Sequence, residues 1–473
     1  MTLIVRWFIN ALALMLVAYL YSGVKVDGIL AALIAALVLG LVNAFIRPLL
    51  VLLTLPVTIL TLGFPRRELN MTDTTLDSEA LKAAVCSRVD ELADQLIDAS
   101  HQIHAHPELN FQEHFAHDLL TGLLERHGVA PTRHAYGLET AFDSSAGQTG
   151  ATIAVLCEYD ALPGVGHACG HNIIGTAGLG AGLAAAFVAE AAGGRVRIMG
   201  TPAEEGGAGK VLMARKGAFD GIDAAMMVHP ADADLISMDC LAMQELIIQF
   251  HGKSAHASAA PWEGRNALDA AVLGYMNIAA MRQHIRPNER VHGIFTNGGN
   301  KPNIVPSDAA MDWYVRAGTF ESLQPLKQRV MTALESSAAA CGCTTTHSWD
   351  PNPAADMIDN GPMVAAYVAN AQRVGRTVLD PVTSGRRVMG STDMGNISYL
   401  VPSIHPMIKV APDGVPIHSV DFATWAASPA GDTAVIDGAK AMAMTVIDLW
   451  LHADLRDRMN AAFADRPAGV QVL

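Results

Sequence analysis

Charged side chains, aromatic side chains and regularly spaced cysteines are all scarce in this sequence. Only 16% of the 473 residues are charged and 6% are aromatic, and the formal net charge is −14. No basic stripe interleaved with aromatic residues is present, which argues against nucleic acid as a partner. The six cysteines lack the spacing of a disulfide framework, and a chain of this length does not need one. Reduced thiols favour a cytosolic setting.

Apolar residues are in excess, at 51% of the chain with a mean hydropathy of +0.26. They are concentrated before residue 65, in three runs at Leu3–Tyr21, Ile29–Phe45 and Leu49–Phe64. The first two runs are long enough to predict two transmembrane helices. The third run is shorter and contains Pro56, so the predicted number of helices is two or three. No small-residue cleavage site follows the first run, which argues against the alternative of a secretory signal peptide.

A polar segment, residues 65–75, follows these runs and is interpreted as a linker. The sequence from Met71 onwards reads like the beginning of a soluble protein. Residues 1–70 are therefore either a genuine fusion or the result of a start site placed too far upstream. In the first case residues 1–64 anchor the chain in a membrane and the larger part lies in the cytoplasm. In the second case the protein is soluble and cytoplasmic.

Beyond the linker, helical and strand patterns alternate. Apolar residues recur at three- and four-residue steps from Asp77 to His106, which predicts an amphipathic helix. Short apolar runs predict buried strands at Thr152–Leu156, Arg195–Gly200, Ala225–Val228 and Ser403–Val410. Repeated βα units predict an α/β catalytic domain with a mostly parallel sheet flanked by helices. We assign this domain to residues 76–242 and 352–473.

The segment between these two parts, residues 243–351, has a different pattern. Its predicted elements follow the order βαββαβ, with strands at Met243–His251, Val291–Thr296, Ala309–Ala317 and Thr344–Trp349. The predicted helices are Asn266–Gln283 and Leu323–Ala340. This order is the ferredoxin-like arrangement, a compact α+β unit. We therefore expect an inserted domain.

Metal-ligating side chains follow the first of the buried strands. Cys169 and His171 stand immediately before a predicted helix at Ile173–Ala191. A thiolate and an imidazole in this proximity suit a borderline-soft divalent ion such as zinc. A Cys–His pair also occurs in ordinary cores, so the prediction depends on the residues after the other strands.

Those strands are followed by further candidate ligands. Glu204 and Glu205 come directly after the second strand, His229 follows the third, and His418 lies beyond the fourth. Because the carboxyl ends of parallel strands meet at one edge of a sheet, we expect these side chains to lie close together. The predicted ligands of one or two ions are Cys169, His171, Glu205, His229 and His418. Glu204 is left free as a general base for water, which predicts a metal-dependent hydrolase.

Several segments of the sequence carry a family resemblance. They are His106-Pro-Glu-Leu, Glu158-Tyr-Asp-Ala-Leu-Pro, Gly166-His-Ala-Cys-Gly-His, Thr201-Pro-Ala-Glu-Glu-Gly, Gly252-Lys-Ser-Ala-His256-Ala and Asn303-Ile-Val-Pro. With them, the chain from Met71 to Leu451 resembles the co-catalytic metallopeptidase family that includes aminoacylases, glutamate carboxypeptidase and p-aminobenzoyl-glutamate hydrolase. It is most similar to the amidohydrolase branch. Three further segments resemble a dipeptidase-like subgroup that contains the β-alanyl-lysine dipeptidase, namely Ala260-Pro-Trp-Glu-Gly, Ser391-Thr-Asp-Met-Gly-Asn and Ser403-Ile-His-Pro. Residues 1–64 resemble a small phage-holin-like bacterial membrane protein.

The resemblance implies roles for individual residues. The five predicted ligands match the family's metal ligands, and Glu204 matches its catalytic base and acid. Asp160 matches an aspartate that orients a ligand. His256 matches a histidine of the inserted domain that reaches the partner subunit's site and stabilises the oxyanion. Asn303 and Arg316 match positions near the substrate's carboxylate or oxyanion. The inserted domain matches a lid that also dimerises, which implies a homodimer.

The expected reaction is hydrolysis of an amide bond in a dipeptide or an N-acyl amino acid. Zinc is the expected metal, with manganese and cobalt as alternatives. Among enzymes, the alternative is a p-aminobenzoyl-glutamate or N-acyl amino acid amidohydrolase. Outside enzymes, it is a membrane-anchored, non-catalytic metal-binding or assembly protein, against which the retained Glu204 argues.

Overall fold

A computed structural model of the protein describes residues 77–386, 388–467 and 469–473. From Asp77 onwards the described residues belong to one compact unit. The predicted membrane runs and the whole predicted linker, residues 65–75, lie outside the described residues. Among the described helices only His171–Ala192 is long and apolar enough to cross a membrane, and it is mostly buried within the protein.

The described residues form twelve α-helices and fourteen strands. The helices are α1 Ser78–Ala105, α2 His114–Arg126, α3 His171–Ala192, α4 Gly209–Ala214, α5 Ala267–Met281, α6 Phe320–Ala340, α7 Gly361–Arg373, α8 Pro381–Ser384, α9 Met394–Ser398, α10 Val420–Ala426, α11 Pro429–Leu451 and α12 Ala453–Ala464. The strands are β1 Pro131–Arg133, β2 Phe142–Ala146, β3 Thr152–Cys157, β4 Arg195–Gly200, β5 Ala224–Met226, β6 His229–Ala231, β7 Asp239–Cys240, β8 Ala242–His251, β9 Arg290–Asn297, β10 Asp308–Ala317, β11 Thr344–Trp349, β12 Met389–Gly390, β13 Ser403–Ile404 and β14 Met407–Lys409.

The larger sheet has six strands in the order β1-β2-β4-β3-β5-β13. Strands β4, β3, β5 and β13 are parallel, whereas β1 and β2 pair antiparallel at one side. All residues of β3 are buried because helices cover both faces of the sheet. Ile153 and Val155 pack on the face covered by α1, α3 and α11, and Ala154 and Leu156 pack on the opposite face. The unbroken apolar run of β3 follows from this arrangement.

Helix α3 is rich in glycine and alanine because it lies very close to the sheet. A Cβ atom on Gly178 would meet the carbonyl oxygen of Leu156 at less than 3.0 Å. A Cβ on Gly182 would meet the side chain of Ile198 at a similarly short distance. Small residues therefore allow α3 to pack at this depth, and the helix places its N-terminus at the carboxyl edge of the parallel strands.

The four-stranded sheet has the order β11-β8-β10-β9 and is antiparallel throughout. Its elements follow the predicted order βαββαβ, with α5 and α6 as the two helices. Burial alternates along β8, where Leu246, Ile248 and Phe250 are buried and Ile247 is 44% exposed. This period of two indicates a sheet with one face covered by helices and one face open.

Two predicted strands differ from the structure. Ser403–Val410 is not one strand, because His405-Pro406 separates β13 from β14. The first piece pairs with β5 and the second with β6. The run predicted at Ala225–Val228 likewise ends at Met226 and continues as β6. Proline donates no backbone hydrogen bond, so a strand is readily interrupted there.

Other elements begin earlier than predicted or were missed. Helix α3 begins at His171 rather than at Ile173. Helix α6 begins at Phe320, where Thr319 and Ser322 form a capping box. Strands β1 and β2 and helix α12 were not predicted from the sequence, and the antiparallel pairing of β1 and β2 makes the sheet mixed. The coarse prediction of an α/β fold is confirmed.

Candidate metal centre

The turn that carries Cys169 and His171 depends on the glycine between them. Gly170 has a φ angle of 78°, in the left-handed region that favours glycine. A Cβ atom at this position would lie 2.9 Å from the ring of Pro230. Gly170 therefore lets the turn approach the strand that begins at His229, and brings two parts of the site together.

Asp160 fixes the orientation of His171. Its Oδ1 atom lies 3.0 Å from Nδ1 of His171, and its Oδ2 atom accepts a hydrogen bond from the backbone N–H of Glu205 at 2.9 Å. Burial acts to raise the pKa of Asp160, but His171 and the Glu205 amide favour the carboxylate and leave that pKa below its usual value. The imidazole therefore points its Nε2 atom away from Asp160.

That Nε2 atom faces carboxylate oxygens. It lies 3.8 Å from Oε1 of Glu205 and 3.6 Å from Oε2 of Glu158, and it has no hydrogen-bond partner among the described residues. Ligand atoms about 2.1 Å from one zinc ion are separated by roughly 3.4 Å in a tetrahedral site. The spacing at His171 therefore fits a cation between these atoms.

His229 and Cys169 form the second side of the site. The Sγ atom of Cys169 lies 3.3 Å from Nε2 of His229, and Nδ1 of His229 donates to its neighbouring Pro230 carbonyl at 2.8 Å. Burial lowers the pKa of His229 to about 3, so the imidazole is neutral and Nε2 carries a lone pair. A neutral imidazole held through its other nitrogen is the form that binds metals.

His418 reaches the site from a loop after β14. Its backbone N–H donates to the carbonyl oxygen of Ala168 at 2.8 Å, and its φ angle is 65°. Its Nε2 atom lies 3.3 Å from Oε1 of Glu205. This backbone bond anchors the loop beside Cys169, so an exposed histidine still points at a carboxylate whose side chain is 9% exposed.

The structure brings all five predicted ligands and Glu204 together. Potential ligand atoms lie within 4.8 Å of one another in three groups. The groups are Cys169, His171 and His229, then Cys169, Glu205 and His418, then His171, Glu204 and Glu205. Cys169, His171 and Glu205 are each shared by two groups, so the donors form one continuous cluster.

The electrostatics of the cluster favour a bound cation. The pKa of Glu204 is raised well above its usual value, first by burial and then by the charges of Glu158 and Glu205. Burial and the Glu205 carboxylate likewise raise the pKa of the Cys169 thiol. Both shifts disfavour the anion, and a divalent ion would reverse them by supplying the compensating charge. The donor set therefore fits a metal.

Three predicted site residues are not members of these donor groups. His256 is exposed, and its Nδ1 atom accepts from the backbone N–H groups of Ser258 and Ala259 at 3.4 and 3.3 Å. The exposed Asn303 is nearby, since its carbonyl oxygen accepts from the backbone of the residue after His256 at 3.0 Å. Arg316 lies on β10 and donates to the hydroxyl of Ser391 at 3.0 Å.

A buried lysine beside the cluster was not predicted from the sequence. Lys210 is fully buried and contacts the carboxylates of Glu158 and Asp393. His405 was not predicted either, and it is buried with its ring 5.3 Å from that of His229. The position of His405 after β13 gave a usable signal, because it is again the end of a parallel strand. Lys210 and Asp393 gave none, since they are 183 residues apart.

The chain matches two protein-family models. Residues 154–445 match the model described as peptidase family M20/M25/M40, and residues 1–65 match the one described as mycobacterial 4 TMS phage holin, superfamily IV.

Curated relatives and solved structures extend these matches. An Xaa-Arg dipeptidase from Mus musculus is 39% identical over 408 residues, which cover 83% of this chain and 94% of the relative. A p-aminobenzoyl-glutamate hydrolase subunit from Escherichia coli (strain K12) is 30% identical, with coverage of 78% and 90%. A crystal structure of a dinuclear metal-binding M20-family peptidase from Bacillus subtilis superposes with a TM-score of 0.60 at 20% identity, with coverage of 76% and 98%. This last likeness is one of fold.

Proposed function

The chain belongs to peptidase family M20/M25/M40, as its motifs predict, and we propose that it is a metal-dependent dipeptidase. The observation that carries this proposal is the convergence of Cys169, His171, Glu205, His229 and His418 around one space, with Glu204 beside them. These residues come from segments up to about 250 positions apart. Cys169 and His171 follow β3, and Glu204 and Glu205 follow β4. His229 begins β6 just beyond β5, and His418 lies beyond β14, which pairs with β6.

Cys169, His171, Glu205, His229 and His418 would hold the metal. Sulfur and nitrogen donors in this proportion favour zinc, with manganese or cobalt as alternatives. Because two of the three groups meet at Cys169 and two at Glu205, we propose two ions rather than one. When bound, the ions supply a Lewis acid for the scissile carbonyl and lower the pKa of a water molecule.

Glu204 is the proposed general base and general acid. Its carboxylate lies within 4.8 Å of ligand atoms on His171 and Glu205. From there it takes a proton from the attacking water and passes that proton to the leaving amine. Proton transfer of this kind contributes roughly 10²–10⁴-fold to the rate. Asp160 contacts both His171 and the backbone of Glu205, and thereby fixes the positions of these two ligands relative to the neighbouring Glu204.

The proposed substrate is a dipeptide with a basic C-terminal residue. The support is the similarity to the Xaa-Arg dipeptidase, which is higher than that to the p-aminobenzoyl-glutamate hydrolase subunit. A p-aminobenzoyl-glutamate or N-acyl amino acid substrate is the second candidate, and that relative's name supports it. Both substrates are amides of an amino acid, so the chemistry at the metal is the same.

We propose that residues 243–351 act as a lid and dimerise. His256 and Asn303 lie on this part of the chain, exposed and close together, yet outside the chain's own metal cluster. Apolar side chains are also exposed there, notably Met276 on α5 and Ile294 on the edge strand β9. An exposed apolar edge favours pairing with a second copy. In such a dimer His256 would stabilise the oxyanion in the partner subunit's site.

Residues 1–64 are the proposed membrane anchor, with the hydrolase part in the cytoplasm. The match of residues 1–65 to a phage-holin model supports this and agrees with the predicted resemblance. None of the six cysteines forms a disulfide bond in the part of the chain that the structure describes, which supports a reducing compartment.

The test uses the full chain of 473 residues, purified in detergent, stripped of metal by a chelator and then reloaded with zinc. The substrates are β-alanyl-lysine, an Xaa-Arg dipeptide and p-aminobenzoyl-glutamate. We expect hydrolysis only after zinc is restored, with the basic dipeptides cleaved fastest. Zinc binding without hydrolysis of any of the amides would instead support a non-catalytic metal-binding protein.

A further inference from the structure

Lys210 is a buried cation shared by two buried carboxylates. The side chains of Lys210 and Glu158 are 0% and 1% exposed, and that of Asp393 is 3% exposed. The Nζ atom of Lys210 contacts Oε1 of Glu158 and lies 2.6 Å from Oδ1 of Asp393. Its backbone N–H also donates to Oδ2 of Asp393 at 2.9 Å. One residue thus makes three polar contacts with two acids.

These contacts join three segments that form the site. Lys210 is the second residue of α4, which follows the loop carrying Glu204. Glu158 directly follows β3, and Asp393 directly precedes α9. Strands β3 and β4 pair directly, and Asp160 also accepts a hydrogen bond from the backbone of Glu205. Lys210 adds side-chain contacts that connect the segments after these two strands with the segment before α9.

Of the three residues Lys210, Glu158 and Asp393, it is Glu158 that faces the metal centre. One oxygen of Glu158 contacts Lys210, and the other lies 3.6 Å from Nε2 of His171, the ring nitrogen left free by Asp160. Glu158 is therefore oriented by the lysine on one side and faces a proposed ligand atom on the other. The charges of Glu158 and Asp393 also act on Glu204. Burial opposes the lysine cation, but Asp393 and Glu158 outweigh burial and raise the pKa of Lys210, so it stays charged.

Stability alone does not explain this arrangement. Replacing a buried ion pair by apolar side chains of similar volume is often neutral or stabilising, because burying charges carries a large desolvation penalty. A second buried lysine gives a comparison within the same chain. Lys82 on α1 is 7% exposed, 2.6 Å from Asp448 and 3.0 Å from the side chain of Asn370, within the helical layer. Lys82 has no contact with the metal cluster among the described residues.

We propose that Lys210 is a positioning residue that holds Glu158 against His171 and fixes the loop of Glu204, so that the metal centre keeps its affinity and its geometry. Only the expected effect of Lys210 on turnover rests on the proposed function. The effect on metal binding is expected whether or not the chain is a dipeptidase, so the two proposals fail separately.

The test compares Lys210→Met, Glu158→Gln, the Lys210→Met/Glu158→Gln double variant and the control Lys82→Met in the full chain. Thermal unfolding establishes which variants fold. For those, the zinc dissociation constant is measured in a chelator buffer, and kcat and KM are measured on β-alanyl-lysine. Glu158→Gln keeps the volume of the side chain and leaves Lys210 in place, so it tests the proposal even if Lys210→Met does not fold.

We expect Lys210→Met and Glu158→Gln each to weaken zinc binding about tenfold to a hundredfold, the range seen when groups behind a metal ligand are removed. We expect kcat to fall with KM nearly unchanged. The double variant should be no worse than the worse single variant, because both changes release the same contact. Lys82→Met should unfold at a lower temperature and keep native zinc affinity and kcat. A folded Glu158→Gln or Lys210→Met with native zinc affinity and kcat would overturn the proposal, as would a Lys82→Met variant that loses both.

Discussion

Asp160 holds His171 by its Nδ1 atom, at 3.0 Å, and this contact decides which nitrogen of the ring is free to bind a metal. The same carboxylate accepts the backbone N–H of Glu205, so one side chain sets the positions of two proposed ligands. Groups behind a metal ligand typically contribute a factor of about ten to a hundred to affinity.

Asp160→Asn is therefore expected to weaken zinc binding about tenfold to a hundredfold. An amide can turn its NH₂ group towards Nδ1, which disfavours the tautomer with a free Nε2. Titration with zinc in a chelator buffer measures the effect. Asp143→Asn, which removes the partner of Arg197 on the six-stranded sheet, is the control and should bind zinc normally. Native affinity in Asp160→Asn would contradict the orienting role.

Glu204→Gln should lower kcat by at least roughly 10²–10⁴-fold, the contribution of a general base. The amide cannot accept the proton of the attacking water. Metal content, measured by elemental analysis, should stay at the native level because Glu204 is not one of the proposed ligands. Glu190→Gln, at an exposed position near the end of α3, is the control. Near-native turnover in Glu204→Gln would show that Glu204 is not the general base.

Cys169→Ser should reduce the amount of bound metal, since a hydroxyl is a poorer ligand than a thiolate for zinc. The side chain is shared by two groups of donors, so we expect both proposed ions to be affected. Cys341→Ser, in the partly exposed turn after α6, should keep the native metal content. Equal metal content in the two variants would show that Cys169 is not a ligand.

His256 gives a prediction about the dimer. If His256 completes the partner subunit's site, then His256→Ala and Glu204→Gln chains are each inactive alone, but a mixture that exchanges subunits recovers activity. In the mixed dimer one site combines Glu204 of one chain with His256 of the other. Rates measured before and after mixing provide the test. A mixture that stays inactive, although the mixed dimer is detected by mass spectrometry, would contradict the proposed role.

The stability of the metal-free chain should fall as pH rises from about 4.5 to 7. Burial raises the pKa of Glu113 to about 7, although Thr140 and backbone amides partly oppose it. In this interval the folded state binds a proton that the unfolded state has lost, so the free energy of unfolding decreases with pH. The full effect is about 3 kcal/mol. Urea denaturation of the native chain and of Glu113→Gln measures it, and an identical pH dependence in both would exclude Glu113 as the cause.

The sequence alone determined the class of fold and indicated the residues that form the donor cluster. Apolar runs of strand length, separated by helical patterns, required a sheet with helices on its faces. Most of the clustered donors come shortly after such an apolar run, either directly or at the end of the loop that follows it. They are Cys169, His171, Glu204, Glu205 and His229. Since parallel strands share a carboxyl edge, the position of a residue along the chain already indicated its position in space. His418 was found in the same way, although its strand is broken at His405-Pro406.

Only the tertiary structure revealed which side chains contact and position the residues of the cluster. Lys210 meets Asp393 across 183 positions, and no local pattern marks either residue as a partner of the other. Strands β1 and β2 were missed for a related reason, since antiparallel pairing depends on neighbours that periodicity does not record. Periodicity reports which side of an element is buried. The pairing of buried charges depends on how loops from distant segments meet, and that is decided by the packed fold.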